Sequence, residues 1–380
     1  MSNITALDER NTMQLDKTAM AEYRLYSDEL FWRDRYNLFK DRGYLLRPRY
    51  HPEWVASWKG TNKNWLECED GLAGEFVSVV MFATRLADGA QVILKKLNSG
   101  SSANEIAIGK LFSSEPYRSN PSNYCLPLLD VFSLPDEKNI IFLVIPFLSH
   151  WENPKFVTIG EAVAFFQQIF EGLNFMHSLN VAHNDVKFDN IMMDSAPLYN
   201  EPIHVVDYYM NQEYTRLVKR QTRTLCPVRY YYIDFGSAVQ YNPEDGPPRI
   251  QVGHGGDRTV PEFKNQTHCD PFAVDVYRLG NIIRECFTDG DDDGDGQKYG
   301  FDFMRPLLQD MCQDDPQKRP KMPEVVSRFT KFVKGLSGLK LRSRVVSKEQ
   351  TLLRRIVLFP VHWTRQLTRF VRHVPAIPAS

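Results

Sequence analysis

The stretch VAHNDVKFDNIMMD, residues 181–194, constrains this chain more than any other part of it. It places Asp185, Lys187 and Asn190 in one short segment and continues into an apolar run with the length of a strand. A turn aspartate that bonds to nearby backbone would explain Asp185 alone, but it would leave the cation and the amide that follow unexplained. The spacing therefore indicates a loop whose side chains act together on one reacting group.

Further polar side chains lie at the ends of predicted strands or in a predicted helix. Lys95 ends the second strand of a predicted hairpin, in which FVSVVMFATRL and AQVILKKL flank the turn ADG, and Asp234 follows RYYYI. Glu105 belongs to the predicted helix SSANEIAIGKLF, where its spacing from Ser102 is also that of a capping box. Phosphoryl transfer from a nucleotide requires a cation on the phosphates, oxygen ligands for Mg²⁺ and a carboxylate that orients the attacking hydroxyl. The chain supplies each of these groups.

Six motifs occur in a fixed order: VILK, HNDVKFDN, DFG, VPE at 260–262, DVYRLG at 275–280 and DPQKRP at 315–320. On these motifs, the chain from about Gly71 to Val333 resembles the eukaryotic protein kinase family, and six motifs in family order are far more specific than one. The aromatic, Arg-rich segment within the first sixty residues and the stretch GGDRTVPEF also resemble divergent, fungal-type members of the family. The resemblance implies an α+β, bilobal protein kinase fold, with a small antiparallel β-sheet N-lobe that carries one helix and a larger, mainly helical C-lobe.

The resemblance also implies roles for the residues that match the family motifs. Asp185 would be the catalytic base that orients the substrate hydroxyl, and Lys187 would lie near the transferred phosphate. Asp234 would be the main Mg²⁺ ligand and Asn190 would hold a second Mg²⁺. Lys95 would contact the α and β phosphates of ATP and pair with Glu105, although the interval between them is short for the family.

Four other residues are expected to be structural. Glu262 and Arg319 would form an ion pair in the C-lobe, and Asp275 would brace the catalytic loop. We expect His183 to be a buried scaffold residue.

Three positions depart from the family pattern. In LAGEFV, Gly74 occupies the middle place of the glycine-rich loop while Leu72 and Val77 stand where the outer glycines belong, so the grip on nucleotide is expected to be weaker. Equally, Gly74 could simply be a turn glycine beside the hairpin, with no contact to phosphate. Asn184 replaces the Arg that binds an activation-loop phosphate in many members, so activation by loop phosphorylation is not expected. Gly255 stands where Ser/Thr-directed kinases usually have Thr.

The chain is expected to divide into an N-terminal extension that packs on the kinase body (1–60), a kinase N-lobe (61–148), a kinase C-lobe (149–334) and a basic amphipathic tail (335–380). The extension is predicted to be one helix followed by an extended segment. The polar insertion at about 195–228 in the C-lobe is either ordered or mobile.

The tail differs electrically from the rest of the chain. From Lys334 onward there are ten Lys and Arg against one acid, a net charge of +9, which leaves −10 on the remainder of a chain whose total is −1. RRIVLFPVHWTRQLTRFVRHV carries Trp363, Leu367 and Phe370 at helical spacing, and Pro360 is expected to break the helix before them. Such a helix suits an anionic membrane surface, and docking on the chain's own acidic body is an equal alternative.

Composition excludes several classes of protein. Because the charge is balanced, we do not expect nucleic-acid binding. The chain contains no uninterrupted run of eighteen apolar residues, so we do not expect a membrane span either. Six scattered cysteines indicate reduced thiols and a cytoplasmic location, with the nucleus and a membrane periphery as alternatives. DGDDDGDG imitates half of a calcium-binding loop, but its twelfth position is Gly300, so a solvated acidic loop is expected.

These patterns predict a protein kinase that moves the γ-phosphate of ATP to Ser or Thr hydroxyls of protein substrates with Mg²⁺. The alternative is a pseudokinase scaffold with weak or absent nucleotide binding, which the incomplete glycine loop and the altered segment at Gly255 favour.

Overall fold

The computed structural model describes residues 24–379 except Glu75, Ser101, Asp136, Lys138, His254 and residues 291–295. Its contacts form two compact units. The first consists of residues up to 102 together with 128–147 and 199–220, and the second consists of 103–127, 148–198 and 221 onward. The predicted helix 103–113 therefore clusters with the second unit.

An antiparallel sheet organises the first unit. Its strands are Tyr44–Leu46 (β1), Val80–Arg85 (β2), Gln91–Asn98 (β3), Asp130–Phe132 (β4) and Ile140–Pro146 (β5), in the order β1-β2-β3-β5-β4. The predicted hairpin is confirmed, because β2 and β3 are antiparallel neighbours around the turn ADG. Its first strand begins later than expected, since Phe76 has a left-handed backbone with φ of 54° and residues 76–79 form a turn.

Residues 27–46 contribute to the core of this unit. Ser27–Arg33 (α1) and Tyr36–Asp41 (α2) are separate short helices, so the prediction of one helix was wrong. The extended residues that follow them form β1, which pairs with β2. The break between the helices allows Trp32 and Phe39 to lie together, with ring centroids 5.4 Å apart, beneath Phe142. Burial of three aromatic side chains outweighs the loss of helical continuity.

The polar insertion at about 195–228 is ordered. Bridges between Ile203 and Asn211 and between Met210 and Leu217 fold its central part, which belongs to the first unit. There the Gln91 side chain donates to the Ile203 carbonyl at 2.8 Å, and buried His204 lies 3.5 Å from Glu69.

Helices dominate the second unit. They are Ala103–Ser113 (α3), Ile159–Ser178 (α4), Pro271–Ile283 (α5), Arg305–Met311 (α6), Met322–Lys334 (α7), Gly338–Arg342 (α8) and Leu352–Val371 (α9). Its short strands are Ser149–His150 (β6), Val181–Ala182 (β7), Ile191–Asp194 (β8), Arg229–Tyr232 (β9), Val239–Gln240 (β10), Ile250–Gln251 (β11) and His268–Cys269 (β12). They pair as β6-β8-β9, β7-β10 and β11-β12.

The helix α4 is the centre of this unit's core. The Thr158 hydroxyl caps it by accepting from the Glu161 N–H. Val163, Phe166 and Phe170 are fully buried, as are residues on most other sides of the helix. A helix that is apolar on nearly every side must be enclosed by other elements, and α7 and β9 pack against α4.

The predicted C-lobe ion pair is present. Both Glu262 and Arg319 are almost fully buried, and the Arg319 guanidinium donates to the two carboxylate oxygens at 2.8 and 2.5 Å. This bidentate geometry fixes the segment after VPE to the loop before α7.

The tail is helical over α9 and docks on the second unit. Pro360 lies inside a continuous helix, so the expected break there was wrong; proline removes one N–H from the helical ladder, and the helix continues on both sides of it. His362 Nε2 lies 2.8 Å from the Arg342 carbonyl oxygen, and Arg369 donates to the Thr222 hydroxyl at 2.8 Å. Docking on the chain's own body therefore occurs, and it uses polar side chains.

Two remaining expectations concern loops and membrane spans. Most of DGDDDGDG, residues 291–295, lies outside the described residues, and Asp289 at its start pairs with Arg305. In the part of the chain that the structure describes, no helix is both long and apolar enough to cross a membrane. The six cysteines are free thiols.

A buried ion pair holds α1 to the segment after β1, and it allows a test of this packing. Glu29 and Arg49 have side chains that are 0% exposed, and the guanidinium donates to both carboxylate oxygens at 2.6 and 2.8 Å. Glu29→Gln leaves a buried cation without its counter-charge, so we expect the free energy of unfolding to fall by about 3–5 kcal/mol in urea denaturation.

The matched control is Asp34→Asn, which breaks the exposed pair with Arg33. Exposed pairs contribute at most about 1 kcal/mol, so this variant should unfold close to the wild-type midpoint. Equal effects of the two substitutions would contradict the proposed importance of the Glu29–Arg49 pair.

Candidate phosphoryl-transfer site

A buried carboxylate on α5 anchors the backbone of the loop between β7 and β8. Asp275 is 0% exposed, and its oxygens accept the backbone N–H of His183 at 2.7 Å and of Asn184 at 2.9 Å. The predicted bracing role of Asp275 is confirmed. His183 is fully buried, and its Nε2 lies 3.0 Å from the Ile233 carbonyl oxygen, which confirms its scaffold role.

The carboxylate of Asp185, in the middle of the loop, is contacted by three donor groups. Lys187 Nζ lies 3.1 Å from Oδ2, and the Asn190 side-chain amide donates to the same oxygen at 2.9 Å. The other oxygen, Oδ1, accepts the backbone N–H of Gly256 at 2.7 Å. Three donors fix the orientation of the carboxylate, and the side chain is 11% exposed, so only a small part of it remains open. The structure therefore brings together all three residues predicted from this loop.

Asn190 and Asp234 lie next to neighbouring strands, Asn190 before β8 and Asp234 after β9. Asn190 directly precedes β8, and its carbonyl oxygen accepts the N–H of Ile233, next to Asp234, at 3.0 Å. Antiparallel pairing of Ile191 with Tyr232 sets this proximity. Asp234 has a left-handed backbone with φ of 62°, a conformation that short polar residues tolerate best after glycine.

The DFG segment packs against α3. The Phe235 ring lies 5.5 Å from the Phe112 ring and 5.7 Å from that of His183. A β-carbon placed on Gly236 would lie 3.5 Å from Asp234 Oδ1 and 3.6 Å from Glu105 Oε2. Both carboxylates thus border the same glycine, and glycine keeps the space between them open.

The backbone conformation and a side-chain hydrogen bond explain why Asn occupies position 184. Its φ of 61° is left-handed, and Asn adopts that conformation more readily than Arg does. Its side-chain amide donates to the Ser237 carbonyl at 3.0 Å, which joins the catalytic loop to the segment after DFG. Nearby, burial raises the pKa of Tyr241 above its usual value.

Arg278 was missed by the sequence analysis, although its motif DVYRLG was quoted. The side chain is 1% exposed on α5, and its guanidinium donates to the carbonyls of Asn184 and, at 3.1 Å, of Asp257. Burial lowers the pKa of Arg278, yet a guanidinium remains charged throughout the range in which proteins fold. A second charged residue in a largely apolar helix, one turn after Asp275, was the signal that could have identified it. Arg278 clamps the catalytic loop to the segment at 255–257.

Gly255 and Gly256 cover Asp185 with backbone alone. Gly255 has φ of +81°, and a β-carbon there would lie 2.7 Å from both Asp185 Oδ1 and the Asn184 carbonyl oxygen. Such distances exclude any side chain unless the site shifts. The departure noted at Gly255 is therefore required for the N–H of Gly256 to reach Oδ1.

Lys95 and Gly74 belong to the first unit. Lys95 lies within β3, opposite Val80 of β2 and Leu143 of β5, and the strand continues to Asn98, so the prediction that the strand ends at Lys95 was wrong. Glu105 is 9% exposed in the second unit, and the Lys95–Glu105 ion pair stays a prediction. Gly74 lies in an irregular segment, where a β-carbon would come 3.0 Å from the Phe82 ring. Its contact with phosphate also stays a prediction, and close packing gives an independent reason for glycine.

The chain between β1 and β2 is long, where a glycine-rich turn would be short. It runs from Arg47 to Val79 and contains several 3₁₀ turns. The Arg47 guanidinium donates to Glu69 Oε1 and to the Leu72 carbonyl at 2.8 Å, and Arg49 donates to the Asp70 carbonyl at 2.8 Å. Two buried arginines therefore order this connection, which the sequence analysis divided between an extension and a lobe.

The donor set suits a hard cation bound together with phosphate. Asn190 and Asp234 supply amide and carboxylate oxygens, which Mg²⁺ prefers, and Mg²⁺ usually takes only one or two protein ligands beside phosphates and waters. Among the described residues, no group of three or more His, Cys, Asp or Glu could by itself hold a metal. These residues therefore fit a magnesium ion that completes its shell from a nucleotide.

A two-unit fold with this loop, its bracing aspartate and its buried Glu–Arg pair defines a protein kinase. The family model described as protein kinase domain matches residues 73–291, more than half of the chain. The chain belongs to the protein kinase family and has its α+β, bilobal fold.

Curated relatives agree with this assignment. The chain is 25% identical over 199 residues to the probable serine/threonine-protein kinase RTK1 of Saccharomyces cerevisiae, covering 51% of this chain and 27% of that protein. It is 30% identical over 130 residues to the serine/threonine-protein kinase ppk8 of Schizosaccharomyces pombe, covering 32% and 19%. It is 26% identical over 201 residues to the serine/threonine-protein kinase SAPK3 of rice, covering 46% and 50%. The chain thus spans at most half the length of these relatives.

The crowding at Gly255 allows a paired test. Gly255→Ala adds a methyl group 2.7 Å from Asp185 Oδ1, in a left-handed conformation that is also unfavourable for alanine. Gly253→Ala is the matched control, since its φ of +88° is similar and its β-carbon would come no closer than 3.6 Å to Arg258. In urea denaturation we expect Gly255→Ala to lower the free energy of unfolding by about 1–3 kcal/mol more than the control does, the usual cost of overpacking. Equal losses would show that only backbone strain matters there.

Proposed function

We propose that this chain transfers the γ-phosphate of ATP to Ser or Thr hydroxyls of protein substrates. The observation that carries the proposal is the Asp185 carboxylate, oriented by Lys187 at 3.1 Å, Asn190 at 2.9 Å and the Gly256 N–H at 2.7 Å. A carboxylate fixed in this way can accept a hydrogen bond from a hydroxyl and align its oxygen with the phosphorus atom.

The other side chains have complementary roles. Lys187 contacts Asp185 and would balance the charge of the transferred phosphoryl group, while Lys95 would bind the nucleotide phosphates. Mg²⁺, held by Asp234 and Asn190, supplies charge neutralisation at the phosphates when it is bound. Glu105 would orient Lys95, as the family resemblance implies.

We propose that the activity does not depend on phosphorylation of the segment before VPE. Asn184 offers no charged fork to a phosphate. The segment is instead attached to the catalytic loop by the buried Arg278 and by the Gly256 N–H, both of which act without any modification. This arrangement supports a kinase in which the substrate-docking segment is ordered by folding itself. For its location we propose the cytoplasm, with the nucleus and a membrane surface as alternatives, because the six cysteines are free.

The first test compares two aspartates of one loop. Asp185→Asn removes the negative charge and replaces one acceptor oxygen with an N–H donor, so we expect phosphotransfer from radiolabelled ATP to a generic protein substrate to fall by about 10²–10⁴-fold, the usual contribution of a positioned acid or base. Asp189→Asn is the matched control, since its side chain is 77% exposed, and it should keep wild-type activity. Activity of Asp185→Asn equal to that of the wild type would refute the proposed role.

A pseudokinase scaffold is the second candidate, and the long connection between β1 and β2 favours it. Without a tight glycine turn, few backbone N–H groups can converge on phosphate. The two candidates differ in their response to Mg-ATP. A ligand at 100 times its Kd stabilises a folded protein by about 2.7 kcal/mol, so a kinase should show a clear rise in Tm.

We expect this rise for the wild type, and we expect Lys95→Met to reduce it, because the cation on the phosphates is lost. Lys96→Met is the neighbouring control: Lys96 Nζ lies over the Phe31 ring at 4.2 Å and its role is in packing. Absence of any shift for the wild type at millimolar Mg-ATP would decide for the scaffold.

A further inference from the structure

The C-terminal helix α9 docks with its polar side inward. The face against the second unit is formed by Arg355, Leu358, His362, Gln366 and Arg369, which recur every three or four residues. His362, Gln366 and Arg369 are the buried residues of the helix. Most surface helices show the reverse arrangement, with an apolar stripe on the core and polar residues in water.

The apolar side of α9 is therefore exposed. The exposed fractions of its large apolar residues run from 46% to 74%: Leu352, Leu353, Ile356, Val357, Phe359, Val361, Leu367, Phe370 and Val371. Continuous apolar surface of this extent on a soluble domain marks an interaction site, because each exposed side chain forgoes the free energy of burial.

Basic side chains line one edge of the same surface. Arg354, Arg365 and Arg372 are exposed and are separated by eleven and seven residues, about three and two helical turns, so they form a row along the helix. None of the three forms a salt bridge with another residue that the structure describes. The tail that contains them has a net charge of +9.

We propose that α9 lies on an anionic lipid bilayer, with its apolar side chains among the acyl chains and the arginine row on the headgroups. An interfacial helix combines an apolar face with a basic edge in this way, and it does not need to span the bilayer. Pairing of two copies through the same face would bring two tails of charge +9 together, which charge repulsion disfavours. The inference concerns a surface of the second unit and is independent of catalysis.

The polar groups within this face are already satisfied. The Thr364 hydroxyl donates to the Pro360 carbonyl at 2.9 Å, and the Thr368 hydroxyl donates to the Thr364 carbonyl at 3.0 Å. Burial of these threonines in an interface therefore leaves no unpaired donor, which would otherwise oppose insertion.

The test is co-sedimentation of the full chain with vesicles of phosphatidylcholine, with and without phosphatidylserine. We expect the wild type to bind the vesicles that contain phosphatidylserine, and we expect added salt to weaken binding. The double variant Ile356→Glu/Leu367→Glu, on the exposed face, should reduce partitioning by on the order of tenfold or more per side chain, as loss of apolar burial requires. Leu217→Glu is the matched control, since Leu217 is 72% exposed in the first unit and should bind as the wild type does.

A second variant separates charge from apolar insertion. Arg354→Gln/Arg365→Gln/Arg372→Gln should lower binding to phosphatidylserine vesicles by about fivefold per residue and bring it close to binding on neutral vesicles. Because all the substituted side chains are exposed, the Tm of each variant should match that of the wild type, which keeps misfolding distinguishable from lost binding.

Three outcomes would overturn the proposal. One is absence of wild-type binding to phosphatidylserine vesicles, and another is unchanged binding of Ile356→Glu/Leu367→Glu. The third is a concentration-dependent mass in analytical ultracentrifugation that this double variant abolishes while vesicles have no effect, which would assign the face to a second copy of the chain.

Discussion

The structure of the catalytic loop depends on one buried carboxylate. Asp275 accepts the N–H groups of His183 and Asn184, and a fully buried charge of this kind is tolerable only when hydrogen bonds surround it. His177 Nε2, 3.2 Å away, adds a third contact. Because α5 is itself packed in the core, the two anchored amides fix the backbone from which Asp185 projects. The core of the second unit therefore determines the position of the proposed catalytic carboxylate.

The same helix fixes the segment that covers the site. Arg278, one turn after Asp275 on α5, reaches the carbonyls of Asn184 and Asp257. Between these two points the backbone of Gly255 and Gly256 lies against Asp185, and at Gly255 only glycine fits. An anion and a cation on neighbouring turns therefore hold the catalytic loop and the covering segment in one arrangement. Neither interaction requires a modification, since one is a carboxylate with amides and the other a guanidinium with carbonyls.

Local patterns predicted the elements well where the pattern was long or specific. The hairpin β2–β3, the loop from His183 to Asn190 and the Glu262–Arg319 pair were all predicted from sequence and are present. The first sixty residues were interpreted less well, since the strand β1 is only three residues long and pairs with a strand far along the chain. A pairing over such a distance leaves no periodic signal in the sequence. Pro360 was assigned a helix break because proline usually causes one, and the docked tail tolerates it.

The sequence by itself determined the family and the identities of the chemical groups, because motif order and residue type survive without any knowledge of packing. It specified Asp185, Lys187, Asn190 and Asp234 as candidates, and it identified Asn184 and Gly255 as unusual. Only the tertiary structure decided why those two are needed: a left-handed backbone at Asn184, and a contact at Gly255 that leaves no space for a β-carbon. It also decided which side of α9 faces outward, since amphipathic periodicity gives the two faces of a helix and long-range contacts choose between them. Properties of single residues can be read locally, whereas orientation and close approach depend on residues distant in the chain.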